Sequence, residues 1–208
     1  MNNGYLSGMI ICQNEEYNIK NALLNIYDFC DEIIIIDGGS KDKTVNAIKK
    51  YPDPYEKIKL YSYKFTGHFG DQKNIGLSLC SGRWIFNLDA DETLEDELKK
   101  NLFNLTLLAE AEAFDIECFK FARLNLIDDV LTEIYPDYQL RLFRSFCRYI
   151  YPVHEELVGY RKSKEIDKEG WRIIHSKTSE KQESQNNSYN NLYKEFANQL
   201  RMKGNKII

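Results

Sequence analysis

Short apolar runs alternate with amphipathic stretches along the first half of this chain. Leu6 to Cys12, Ile33 to Ile36, Ile58 to Tyr63 and Trp84 to Leu88 each have the length and the β-branched or aromatic content of a strand. The unbroken Ile33-Ile34-Ile35-Ile36 run is of the kind buried on both faces of a parallel sheet. Between the runs, Ile19, Leu23, Ile26 and Tyr27 recur at helical spacing, as do Thr44, Val45 and Ile48, and Gln72 to Cys80 reads as a third helix. Asn14 is predicted to cap the first helix, with Glu15 and Glu16 at the positive end of its dipole. Pro52 and Pro54 close the second helix, and another is expected from Thr93 to Leu98. This alternation predicts an α/β fold, an open and mostly parallel sheet flanked by helices and joined by right-handed crossovers.

After about residue 110 the alternation weakens. Ile116 to Leu124 and Gln139 to Phe143 read as strands joined by an irregular segment rich in Asp, Pro and Tyr, so this half is expected to be mixed. Lys177 to Ser188 is rich in Lys, Gln, Ser and Asn and reads as a solvated linker. Leu192, Phe196 and Leu200 then mark an amphipathic helix that packs on the domain, with an interfacial membrane helix or a partner-binding helix as the alternatives. The expected organisation is one domain over residues 1–176, followed by linker and helix over 177–208.

Composition narrows the function classes. A chain of 208 residues with 43% hydrophobic and 29% charged residues can bury one sizeable core. Its net charge of −4 lacks the basic excess of a nucleic-acid binder. No apolar stretch is long enough to span a bilayer and no basic segment precedes one at the N-terminus, so a cytoplasmic location is expected, with peripheral membrane contact left open. Cys12, Cys30, Cys80, Cys118 and Cys147 are odd in number and widely spaced, which fits reduced, buried thiols better than disulfides or a zinc site.

Ligands of open α/β sheets bind beyond the carboxyl ends of the strands. The polar clusters after Cys12, Ile36 and Leu88 lie at such ends and should share one crevice. Asp89 and Asp91, two residues apart at the end of an apolar run, are expected to point to the same side and converge on one Mg²⁺ or Mn²⁺ shared with a diphosphate. The plainer reading of Asp89 is a cap for the following helix.

In order along the chain stand Asn14-Glu15-Glu16, Asp31-Glu32-Ile33-Ile34-Ile35-Ile36-Asp37-Gly38-Gly39-Ser40 with Asp42 and Thr44, Gln72-Lys73-Asn74, and Leu88-Asp89-Ala90-Asp91-Glu92. This ordered set resembles glycosyltransferase family 2, with its GT-A fold. Tyr135-Pro136-Asp137-Tyr138-Gln139-Leu140-Arg141-Leu142-Phe143-Arg144, Val153-His154-Glu155 and Ile173-Ile174-His175 look like its subgroup of small bacterial lipopolysaccharide-core-type glucosyltransferases. The resemblance implies a nucleotide-sugar-binding half over 1–98 and an acceptor half over 110–176. It places Asn14, Glu15, Asp37, Gly38 and Lys73 against a donor such as a UDP-sugar, with Glu15 on the ribose, Asp37 on the uracil and Lys73 at the base or diphosphate. The simpler alternatives are a cap for Asn14, a turn for Asp37 and a solvated helix face for Lys73. Asp89 would contact ribose or metal, Asp91 the metal, and His175 would complete the metal site, with His154 as its substitute. His68 is expected in a loop over the donor.

The implied activity is an inverting, metal-dependent hexosyl transfer to an acceptor hydroxyl on a glycan, a lipid-linked glycan or a protein. A base is then needed; Glu155, beside an imidazole, is preferred to Asp137. A sugar nucleotidyltransferase is the rival enzyme, although the loop after the first strand is acidic where a triphosphate would need a basic one. A non-catalytic nucleotide-sugar-binding module is the other rival, and the intact aspartate pair argues against it.

Overall fold

The computed structural model describes residues 5–111 and 115–202. The first half comprises β1 (Leu6–Cys12), α1 (Ile19–Ile26), β2 (Glu32–Asp37), α2 (Thr44–Lys49), β3 (Ile58–Ser62), α3 (Phe69–Leu79) and β4 (Trp84–Asn87). These strands pair in parallel in the order β3-β2-β1-β4, with Met9 level with both Ile34 and Asn87. Strand order reverses between β1 and β4, and a crevice opens over the carboxyl ends at such a reversal. Ile33 to Ile36 and Trp84 to Phe86 expose no surface, because helices cover both faces of the sheet. Each such side chain contributes roughly 1.5–3 kcal/mol relative to an exposed one.

The second half comprises β5 (Glu92–Leu94), α4 (Asp96–Glu110), β6 (Cys118–Ile127), β7 (Val130–Leu131), β8 (Asp137–Arg144), β9 (Arg148–Ile150), β10 (Glu156–Val158), β11 (Ser163–Ile166), β12 (Ile173–Lys177) and α5 (Ser179–Met202). Strand β8 runs antiparallel to β4, β6 antiparallel to β8, and β12 parallel to β6, so the sheet continues as β4-β8-β6-β12-β5. Strands β7 and β11 also pair with β6, while β9 and β10 form a separate ribbon. The sheet therefore brings both halves to one crevice.

Several expectations are corrected. Helix α1 begins at Ile19, after Asn18, so Asn14 does not cap it. Asn14 instead sits at φ 58°, a left-handed conformation that short polar side chains tolerate, and its Oδ1 accepts from Lys41 N at 2.8 Å. Helix α3 begins at Phe69, and His68, at the end of the loop before it, is its cap, its Nδ1 accepting from Asp71 N at 3.0 Å. Thr93 lies in β5, and α4 starts only at Asp96. The predicted linker is absent, since β12 reaches Lys177 and α5 starts at Ser179. Its Lys, Gln and Glu are good helix formers, which the polar composition masked. Leu192 lies on α5, whereas the side chains of Phe196 and Leu200 fall outside the described ones. All five cysteines are free thiols, four of them buried. Among the described residues no helix is long and apolar enough to cross a membrane.

One buried carboxylate ties the first strands together. Glu32 accepts from Ser7 Oγ at 2.7 Å, Ser81 N at 2.6 Å and Lys59 Nζ at 2.6 Å. Burial opposes its ionisation, but the hydrogen bonds from Lys59, Ser81 and Ser7 prevail and hold the carboxyl at about 2. A depressed folded value means stability that is complete above the ordinary carboxylate range and lost as pH falls through about 2. Glu32→Gln is therefore expected to flatten the decline in unfolding free energy between pH 5 and 2, by on the order of 3 kcal/mol. Denaturant titrations across that range check this; a variant with the wild-type slope would contradict it.

Candidate active site

Asp37 closes β2, and its carboxylate accepts from Gly39 N at 3.1 Å and Ser40 N at 3.2 Å, so it holds the Gly-Gly turn. Beside it, a Cβ on Gly38 would lie 3.1 Å from Gln72 Nε2 and 3.3 Å from the Cys12 carbonyl oxygen, a close approach that glycine permits. Gln72 Nε2 is buried beside this turn with no hydrogen-bond partner among the described residues. Glu15 follows β1, anchored by its own N–H to Thr44 Oγ1 at 2.7 Å, and its carboxylate accepts from Asn18 Nδ2 at 2.7 Å.

Asp89 and Asp91 do not share a strand face as expected. Strand β4 ends at Asn87, and Glu92 N donates to the Asp89 carbonyl at 3.0 Å, closing a turn in which period-two alternation no longer applies. The two carboxylates consequently have different partners. Asp89 accepts from Arg141 at 2.6 Å and lies 3.5 Å from Lys73 Nζ. Asp91 lies 3.3 Å from His175 Nε2 and 3.2 Å from Lys181 Nζ. Burial works against ionisation of both. The charges of Arg141 and Lys73 overcome it at Asp89, and the hydrogen bond and charge of His175, then Lys181, overcome it at Asp91, so both stay well below the usual carboxylate range.

Behind Asp89 runs a ladder of alternating charges: Glu155, Lys73, Asp89, Arg141, Glu92, Arg123 and Asp137. Lys73, on α3, is 3% exposed and bonded to Glu155. Burial would favour its neutral form, but the charges of Asp89 and Glu155 outweigh burial and hold it protonated. It is thus not a solvated helix residue, and it would have to leave Asp89 or Glu155 to meet a base or a diphosphate. Arg141 donates at 2.6 Å to both Asp89 and the fully buried Glu92, and Arg123 meets Glu92 at 2.9 Å. Asp137 accepts from Arg123 Nε and Nη2, Asn125 Nδ2 and Gln139 Nε2, which leaves it ill suited to take a proton. Glu155, 19% exposed at the rim, retains access.

Asp137 acts on the site through Asn125. Donation from Asn125 Nδ2 to Asp137 at 2.7 Å turns Oδ1 toward His175 Nδ1, 3.0 Å away. Held from Nδ1, the ring turns Nε2 toward Asp91, the orientation of a metal-ligating imidazole held by a polar neighbour. His154, at φ 54°, packs its ring 6.2 Å from that of Tyr189 instead. Among the described residues no group of three or more His, Cys, Asp or Glu side chains forms a metal cage. Asp91 and His175 offer one hard oxygen and one nitrogen, a set that fits Mg²⁺ or Mn²⁺ with phosphate oxygens and water completing the shell.

Helix α5 lies across the crevice. Lys181 Nζ reaches both Glu15 oxygens at 3.0 Å as well as Asp91. Tyr189 packs edge-on against Phe69 at 5.6 Å, and burial, reinforced by the charges of Asp89, Glu155 and Asp91, raises its hydroxyl to about 12. A cavity of about 150 Å³ remains beside Asp91. A larger one of about 370 Å³ lies by Arg83, Arg144 and Arg161, away from these residues. Sequence reasoning assigned no role to Lys181, Tyr189, Asn125 or Arg141. Lys181, Gln185, Tyr189 and Leu192, all half-buried, recur at the spacing of one helix face, a signal that their polar character hid.

A β3-β2-β1-β4 sheet with carboxylates and an imidazole gathered beyond the ends of its strands is the layout of a nucleotide-binding α/β enzyme. Residues 7–146 match the model for glycosyl transferase family 2, and the chain belongs to that family. It is similar to the lipopolysaccharide core biosynthesis glycosyltransferase LpsC of Rhizobium meliloti, 38% identical over 97 residues, which make up 47% of this chain and 35% of that protein. The prophage-derived glycosyltransferase SunS of Bacillus subtilis is 29% identical over 157 residues, 74% of this chain and 35% of its own. The chain spans about a third of the length of these curated relatives. The S. aureus TarS 1-349 structure with UDP shares the fold at a TM-score of 0.62 and 12% identity, over 83% of this chain and 60% of that one.

Proposed function

We propose that this glycosyltransferase moves a hexose, with inversion, from a UDP-sugar to an acceptor hydroxyl in the cytoplasm, with Mg²⁺ or Mn²⁺ as cofactor. The observation that carries this reading is the meeting of Asp91 and His175 at 3.3 Å, the imidazole oriented by Asn125, at the switch point of the sheet. These two residues would hold the cation. When bound, the cation supplies positive charge to the departing diphosphate. Glu15 and Asp37, with Gly38 permitting close approach, would hold the nucleoside, as the UDP complex of the TarS fold neighbour makes reasonable. Asn14 would position the Glu15 loop through its bond to Lys41 N. Glu155 would take the acceptor proton in a single displacement. The likeness to LpsC favours a glycan acceptor, lipid-linked or free, and a protein acceptor is the other choice.

Asp91→Asn is expected to weaken Mn²⁺-dependent UDP binding by about tenfold to a hundredfold, the loss of one interaction with a charged group. Asp89→Asn should act first on stability, because it leaves Arg141 and Lys73 short of a partner. Calorimetric titration of UDP in Mn²⁺ and in chelator decides the matter. Equal affinity in the two would remove the metal from the proposal.

A further inference from the structure

We infer that Lys181 is a binding residue for the diphosphate of the donor, a cation delivered to the crevice by α5. This rests on reading the crevice as a nucleotide-sugar site.

A donor diphosphate needs cationic neighbours, and two of the cations around Asp89 are already committed to carboxylates. Lys73 is buried between Glu155 and Asp89, and Arg141 is buried between Asp89 and Glu92. Lys181 differs in its partners. Its side chain is 30% exposed, and its ammonium bridges Glu15 and Asp91, the carboxylates that the proposed function gives to the ribose and the metal. A donor that claims both carboxylates takes both partners from Lys181.

An ammonium stripped of its partners in a half-buried place needs new acceptors, and the diphosphate brings several there. The helix need not leave for this exchange. Tyr189 against Phe69 and His154, and Lys177 Nζ on Gln185 Oε1 at 2.5 Å, hold α5 in place independently of Lys181. A long, unbranched side chain can then turn from carboxylate to phosphate while its helix stays docked.

The test is calorimetric titration of uridine and UDP, in Mn²⁺, into wild type, Lys181→Ala and Lys181→Arg. Lys181→Ala is expected to weaken UDP about tenfold to a hundredfold while leaving uridine affinity unchanged, and Lys181→Arg to keep most of the UDP affinity. Lys181→Ala that binds UDP as well as wild type would overturn the inference alone. So would tighter binding, which would make α5 a competitor of the donor. Loss of uridine together with UDP would show that the change acted through the fold, and would equally overturn it. Wild-type protein that binds no UDP would instead overturn the donor-site reading on which the inference stands.

Discussion

Glu155→Gln is expected to leave UDP affinity nearly unchanged and to cut transfer to acceptor by about 10²–10⁴-fold, the contribution of a general base. The glutamine keeps the size of the side chain and removes its ability to take a proton. Lys73, the buried partner of Glu155, retains Asp89 at 3.5 Å, so the substitution does not strand an unpaired cation. Donor affinity measured beside turnover makes the test specific. Full transfer by the variant would exclude Glu155 as the base. Asp137 is a poor replacement, because its oxygens are occupied by Arg123, Asn125 and Gln139. A loss of donor affinity as large as the loss of turnover would place Glu155 on the donor side.

Arg141→Met is expected to lower the unfolding free energy by about 3–5 kcal/mol, the penalty for breaking a buried ion pair from one side. Arg141 is 4% exposed and neutralises Asp89 and Glu92 together, and Glu92 has no exposed surface. Methionine fills much of the space but leaves two carboxylates sharing Lys73 and Arg123. Lys59→Met supplies the contrast. Its ammonium is half-exposed, and the serine donors to Glu32 survive its removal, so a change of about 1 kcal/mol or less is expected. Denaturant unfolding of both variants reads the difference directly. Similar losses from the two would show that the ladder behind Asp89 does not carry the burden assigned to it.

The parallel half of the sheet was legible in the sequence because strands buried on both faces leave an unmistakable apolar run, as Ile33 to Ile36 do. Strand β5 was not, since it opens with Glu92, a charge whose burial depends on Arg123 and Arg141 from distant strands. The first half of helix α5 was read as a linker for a related reason: it docks through Lys181 and Tyr189, and polar contacts leave no apolar stripe there. At the site, the motifs pointed to Asp89, Asp91 and His175, and the fold brings Asp91 within 3.3 Å of His175. They could not divide the labour between the two aspartates, because the division is made by Arg141 on β8 and His175 on β12 rather than by local spacing.

The charge ladder also bears on how such enzymes can diversify. Asp89 and Glu92 lie on the turn that follows β4, whereas Arg123 and Arg141 come from β6 and β8, far along the chain. The turn and the later strands are therefore not interchangeable cassettes: a graft of a relative's strands from β6 onward would import whatever counter-ions that relative carries beneath its own turn after β4. Sequence change is more readily absorbed on the exposed β7, which supplies no member of the ladder, while the guanidiniums under the turn stay where they are.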